Sequence, residues 1–96
     1  MEKFLQGKTA VVTGGTRGIG RAIAGHLLLE GARVAICGRA PNAVEAAVKE
    51  LAAQTGGEVG GKAADVCRHE EVQALFAFVA ERFGPLDILI NNAGIG

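Results

Sequence analysis

Two apolar periods alternate along the chain. Ala10-Val-Val12, Arg33-Val-Ala-Ile-Cys37 and Leu86-Asp-Ile-Leu-Ile90 are short, β-rich runs of the kind a strand covered on both faces requires. Between them, apolar residues recur every three or four positions, the spacing of one helix face. Ile19, Ile23 and Leu27, with Ala22 beside them, predict a first helical stripe, and Val44, Ala47, Val48 and Leu51 a second. Val72, Leu75, Phe76, Val79 and Phe83 predict a third, on a helix from about Arg68 to Phe83. Glu30-Gly31, Gly56-Gly57 and Pro85 end these helices, and Pro41 is tolerated in the first turn of the second. Cys67-Arg-His-Glu70 reads as a capping box with a thiol in the hydroxyl's place. Glu58 to Ala64 reads as a further strand whose Gly60-Gly61 and Lys62 suit an exposed edge. Strands that alternate with helices build βαβ units, whose right-handed crossovers leave the strands parallel, so the fold class is α/β.

Glycine is densest where the first strand meets the first helix, in Thr9-Ala-Val-Val-Thr-Gly-Gly-Thr-Arg-Gly-Ile-Gly20. Gly14 stops the strand by allowing backbone angles other residues resist, and Gly18 and Gly20 remove side chains where the backbone must lie close to something. The helix that follows opens with amides that have no internal acceptor. With the aligned peptide dipoles, worth roughly half a positive charge, they form an anion site. The bland alternative is a plain strand-to-helix connection. The pattern G-x-G-x-x-G is absent, and the spacing is Thr-Gly-x-x-x-Gly-x-Gly.

Composition narrows the partners. The chain has 96 residues, 10 of them basic and 10 acidic, which excludes a basic nucleic-acid face and a charged tail. Cys37 and Cys67 are too far apart for a C-x-x-C pair and are expected to be buried free thiols, and His26 and His69 add no metal-ligand spacing. Met1 to Lys8 lacks the apolar run of a signal peptide, and no stretch has the length of a membrane span, so the expected location is cytoplasmic.

Four features stand in order: Thr13-Gly-Gly-Thr-Arg-Gly-Ile-Gly20, Arg39 past the second strand, Asp65-Val66 past the third, and Asn91-Asn-Ala-Gly94 past the fourth. Together they resemble the amino-terminal half of a short-chain dehydrogenase/reductase over the whole chain, and are most similar to the 3-ketoacyl-acyl-carrier-protein-reductase-like members. The resemblance implies a Rossmann-type doubly wound parallel sheet with only its first four strands, in order 3-2-1-4, and three helices present. It makes residues 1–96 a partial NADP-binding domain, half of a single-domain reductase. All four features then fall at strand carboxyl ends, where open α/β sheets bind ligands. By the same resemblance Gly14, Thr16, Arg17, Gly18, Ile19 and Gly20 surround the pyrophosphate and adenosine ribose. Asp65 and Val66 border the adenine, and Asn92, Ala93 and Gly94 line the ribose side. Thr13 and Asn91 tie adjacent loops together, and the Asp65 side chain is equally readable as a helix-entry carboxylate.

Charge selects the cofactor. A site that prefers NAD places a carboxylate after the second strand for the ribose hydroxyls, and here that position is Gly38, followed by Arg39. An arginine fork suits a phosphate, so Arg39 and Arg17 favour NADP(H) over NAD(H). The family's reaction needs a tyrosine acid/base, a lysine one helical turn later and a serine at the substrate carbonyl, yet the 96 residues include neither tyrosine nor serine. No catalytic and no metal-binding residue is therefore assigned. The expectation is the cofactor-holding portion of a longer NADP-dependent oxidoreductase, which lacks that catalytic set on its own; the longer protein would act on a small carbonyl or alcohol and form a homo-oligomer. The alternatives are a non-catalytic dinucleotide-binding or redox-sensing module and a truncated interaction fragment.

Overall fold

A computed structural model describes residues 3–92. Strands and helices alternate strictly: β1 (Thr9–Thr13), α1 (Gly18–Leu29), β2 (Arg33–Gly38), α2 (Pro41–Thr55), β3 (Val59–Ala63), α3 (His69–Phe83) and β4 (Ile88–Asn91). The strands form one parallel sheet in the order β3-β2-β1-β4. Thr13 pairs with Cys37 on one side and Asn91 on the other, and Gly38 pairs with Ala63, so every carboxyl end reaches the same edge. This is the α/β, Rossmann-like architecture that the alternating periods and the family resemblance predict.

Residue alternation along the strands divides the core in two. Ala10, Val12, Val34 and Ile36 face α1 and α2, where they pack with Ala24, Leu28, Ala47 and Leu51. Val11, Ala35 and Cys37 face α3 and meet Leu75, Val79 and Phe83. Every residue of β1 is buried, because it has a strand on either side and helices over both faces. At the strand entries, the Thr9 amide donates to Asp87 Oδ2 at 2.9 Å and the Asp87 amide donates to the Thr9 carbonyl at 2.9 Å, which fixes where β4 starts against β1.

Three local expectations are corrected. The stripe that α1 buries is Gly20, Ala24 and Leu28, one position on from Ile19, Ile23 and Leu27. Small residues let the helix axis approach the sheet closely; Ile23 and Leu27 are left half-buried at its flanks, and Ile19 stays 72% exposed. β3 does lie at the edge of the sheet, as its glycines and Lys62 predict, and those glycines also make room. A Cβ at Gly61 would lie 2.8 Å from Val48 Cγ2 of α2, and one at Gly60 would lie 2.9 Å from Arg82 Nη1 of α3. Finally, α3 is capped at Arg68 with no side-chain bond, so the Cys67 box does not form, and Cys67 is exposed rather than buried. The acidic first turn works differently. Glu71 Oε1 accepts from the Asp65 amide at 2.8 Å and Glu71 Oε2 pairs with Arg68 Nε at 3.2 Å.

Candidate functional site

The β1–α1 loop lies flat on the end of β2. The Gly15 amide donates to the Cys37 carbonyl at 3.2 Å, and a Cβ at Gly15 would sit 2.7 Å from Ile36 Cγ2. Gly14 and Gly18 take positive φ, 65° and 62°, so the chain turns sharply out of the strand and again into the helix. Gly20 is needed for space: a Cβ there would run into the Gly14 carbonyl and lie 2.6 Å from Asn92 Nδ2. The glycines of this loop therefore divide the work between bending the chain and letting it close on itself.

That closure leaves donors open. The first amide held by α1's own ladder is that of Arg21, on the Arg17 carbonyl at 3.3 Å, and among the described residues no protein acceptor takes the amides of Gly18, Ile19 or Gly20. The N-cap Arg17 makes no side-chain cap, and the first turn holds no acidic residue. Positive partial charge is thus left uncompensated at this helix end.

The end of β4 is latched to the loop. Asn92 Nδ2 donates to the Gly14 carbonyl at 3.3 Å, and the Asn92 amide donates to Thr13 Oγ1 at 2.9 Å. Thr13 Oγ1 in turn lies 3.1 Å from Asn91 Oδ1 and 3.4 Å from the Ile90 carbonyl, either of which can accept its single proton. Thr13 and Asn91 thereby tie adjacent loops together, as the sequence predicts.

On the other side, the β3–α3 loop closes on itself, with the Cys67 amide donating to Asp65 Oδ1 at 2.9 Å. The Asp65 carboxylate therefore serves as a helix-entry group while also bordering the cleft. Between these loops is a cleft of about 560 Å³, within the usual span of small-molecule sites, roughly 300–1,000 Å³. Of the residues singled out from the sequence, Gly14, Thr16, Arg17, Gly18, Ile19, Arg39, Asp65, Val66 and Asn92 line it. Gly20 is buried behind the lining, where it sets the loop's closure. Ala93 and Gly94 lie outside the described residues.

The cleft wall also includes Gly38, the position where a site that prefers NAD would place its carboxylate, and Cys37, Ala64 and Cys67, which were not among the residues singled out for the site. Cys37 and Ala64 lie where β2 and β3 run out, so the signal was their place at a strand end, which their apolar or small character masked. Burial pushes the Cys37 thiol above its ordinary value, partly offset by a hydrogen bond from the Gly14 backbone. Arg17 and Arg39 are both exposed, and among the described residues neither has an ion-pair partner. Open amides, a loop with no room for side chains and two unpaired guanidinium groups fit a phosphate-bearing dinucleotide.

Comparison with known proteins identifies the family and matches the fold. The short chain dehydrogenase family profile matches residues 8–96. The 3-oxoacyl-acyl-carrier-protein reductase of Aquifex aeolicus is 40% identical over 95 residues, which cover 99% of this chain and 38% of that protein. Among solved structures, L-sorbose reductase from Gluconobacter frateurii, complexed with NADPH and L-sorbose, superposes with a TM-score of 0.93 at 40% identity, over 100% of this chain and 36% of that one. An actinorhodin polyketide ketoreductase variant with NADPH gives a TM-score of 0.87 at 45% identity, over 92% of this chain and 33% of that one. The chain thus spans about a third of the length of the relatives it matches.

Proposed function

The chain belongs to the short-chain dehydrogenase family, and from that premise we propose that it is the cofactor-holding portion of a single-domain reductase that transfers hydride between NADP(H) and a carbonyl or alcohol. The observation that carries this reading is the α1 entry, where the amides of Gly18, Ile19 and Gly20 have no protein acceptor among the described residues and Gly18 and Ile19 line a cleft that Arg17 and Arg39 also line. When bound, the cofactor supplies a hydride to a carbonyl carbon, and a proton from an acid completes the alcohol. This chain's own residues bind and orient. The amides of Gly18, Ile19 and Gly20 hold the pyrophosphate, Arg17 and Arg39 hold the 2′-phosphate, and Asn92 keeps the loop closed behind them. Asp65, Val66 and the residues after Asn92 complete the nucleoside side of the site. With Cys37 and Cys67 both free thiols, a reducing, cytoplasmic setting suits the protein.

The test is titration with NADPH and NADH at matched salt. NADPH should bind more tightly, and Arg39→Ala should lose about tenfold in NADPH affinity, the equivalent of roughly 1.5 kcal/mol for one charge-assisted hydrogen bond, with little change for NADH. Near-equal dissociation constants in the wild type contradict the cofactor assignment.

A further inference from the structure

We propose that the methyl group of Thr16 is a steric gate at the end of β2, keeping that position a glycine and so excluding the carboxylate that would select a cofactor without the 2′-phosphate. The proposal rests on the dinucleotide reading of the cleft. Gly38 is not among the residues with positive φ, so its backbone would accept any side chain, and space alone sets its identity. A Cβ built there would lie 2.9 Å from Thr16 Cγ2, a separation real Cβ atoms essentially never show. The next neighbours, Thr16 Oγ1 at 3.5 Å and Val44 Cγ2 at 3.6 Å, are at ordinary contact distance. One methyl group stands in the way.

Thr16 has little freedom to withdraw. The preceding residue is held by the Gly15 amide on the Cys37 carbonyl and lies against Ile36 with no room for even a Cβ. The Thr16 side chain is β-branched and stiff at χ1. An acceptor for the ribose hydroxyls belongs at the end of this strand in a site that prefers the unphosphorylated dinucleotide. Here it cannot be introduced without moving Thr16, so cofactor choice is stored in the pair Thr16 and Gly38 as well as in the arginines.

The experiment is a double-mutant cycle in the full chain with Gly38→Asp, Thr16→Ser and both together, read by melting temperature and by dissociation constants for NADPH and NADH at matched salt. Thr16→Ser removes the methyl and keeps the hydroxyl. Gly38→Asp alone should lower the melting temperature and weaken both dinucleotides, and the double variant should recover at least half of the lost melting temperature. The ratio of NADH to NADPH affinity should rise about tenfold further in the double variant than the two single changes multiply to. Should Gly38→Asp not fold, Gly38→Ala with and without Thr16→Ser runs the same melting cycle, and recovery of folding by Thr16→Ser supports the gate. Additive melting shifts, or a complete change of preference from Gly38→Asp alone, overturn the gate while a wild-type preference for NADPH leaves the cofactor reading standing. A wild type that binds neither dinucleotide overturns that reading and the gate's role together, whatever the melting cycle shows.

Discussion

The β1–α1 and β3–α3 loops leave the same edge of the sheet, border the same cleft and each deliver a helix amino terminus, yet they answer the positive charge of that terminus in opposite ways. At α3 the loop answers its own donors, Asp65 taking the Cys67 amide and Glu71 the Asp65 amide, and although the amides of His69 and Glu70 have no acceptor among the described residues, Glu70 and Glu71 place negative charge in that first turn. At α1 there is no acid in the first turn, no side-chain cap and, among the described residues, no acceptor for the amides of Gly18 to Gly20. A helix entry whose dipole is answered by its own carboxylates gains stability, whereas one left without them gives up that contribution and gains an anion site. Proximity to the cleft alone therefore does not make a binding loop.

The sharpest way to break the contrast is to spoil the closure of the open loop. Gly20→Ala drives a Cβ into the Gly14 carbonyl and towards Asn92 Nδ2, an overpacking of about 1–3 kcal/mol. The expected result is a fall of several degrees in melting temperature, with dinucleotide affinity lowered about a hundredfold by titration. Unchanged affinity would show that the loop's shape is not what the ligand reads.

A gentler change gives α1 the acidic entry of α3. Ile19 is 72% exposed, so Ile19→Glu costs little packing. The new carboxylate should stabilise the helix by about 0.3–1 kcal/mol in a denaturant titration and lower dinucleotide affinity about tenfold. The opposite signs on stability and binding are the test.

Smaller effects belong to the self-satisfied loop. Asp65→Ala removes the acceptor for the Cys67 amide and should cost about 0.5–1.5 kcal/mol of stability, whereas Asp65→Asn, which keeps an acceptor oxygen, should cost less. The two cysteines sharpen the contrast further: a thiol reagent should label exposed Cys67 in the native protein and reach buried Cys37 only on unfolding. The raised pKa of Cys37 also has a definite sign. Its contribution to stability is complete below the ordinary value of 9.0 and is lost as pH rises through the higher folded-state value, so Cys37→Ala should flatten that alkaline loss in a pH series of melts.

The alternation of apolar periods carried the elements, and β1 shows why: Ala10, Val11 and Val12 form a continuous run because both their faces are covered. Which face of α1 is buried was not legible, since hydrophobicity favours Ile19, Ile23 and Leu27 while close approach to the sheet favours Gly20, Ala24 and Leu28. Likewise, Gly60 and Gly61 read as a weak strand until Val48 and Arg82 are seen occupying the space their side chains would need. At the site, the glycines, Arg17, Arg39 and Asn92 were visible as punctuation after strands. Cys37 and Ala64 were not, because an apolar residue at a strand end looks like core until the neighbouring loops leave a gap above it.

The open helix entry can be observed directly by following the backbone amide resonances of the isotope-labelled protein while NADPH is added. The account predicts large shifts and slowed hydrogen exchange at Gly18, Ile19 and Gly20, with the amides of Asp65 and Cys67 keeping the exchange behaviour their internal bonds impose. Unmoved resonances at Gly18 to Gly20 in a saturated complex would contradict it.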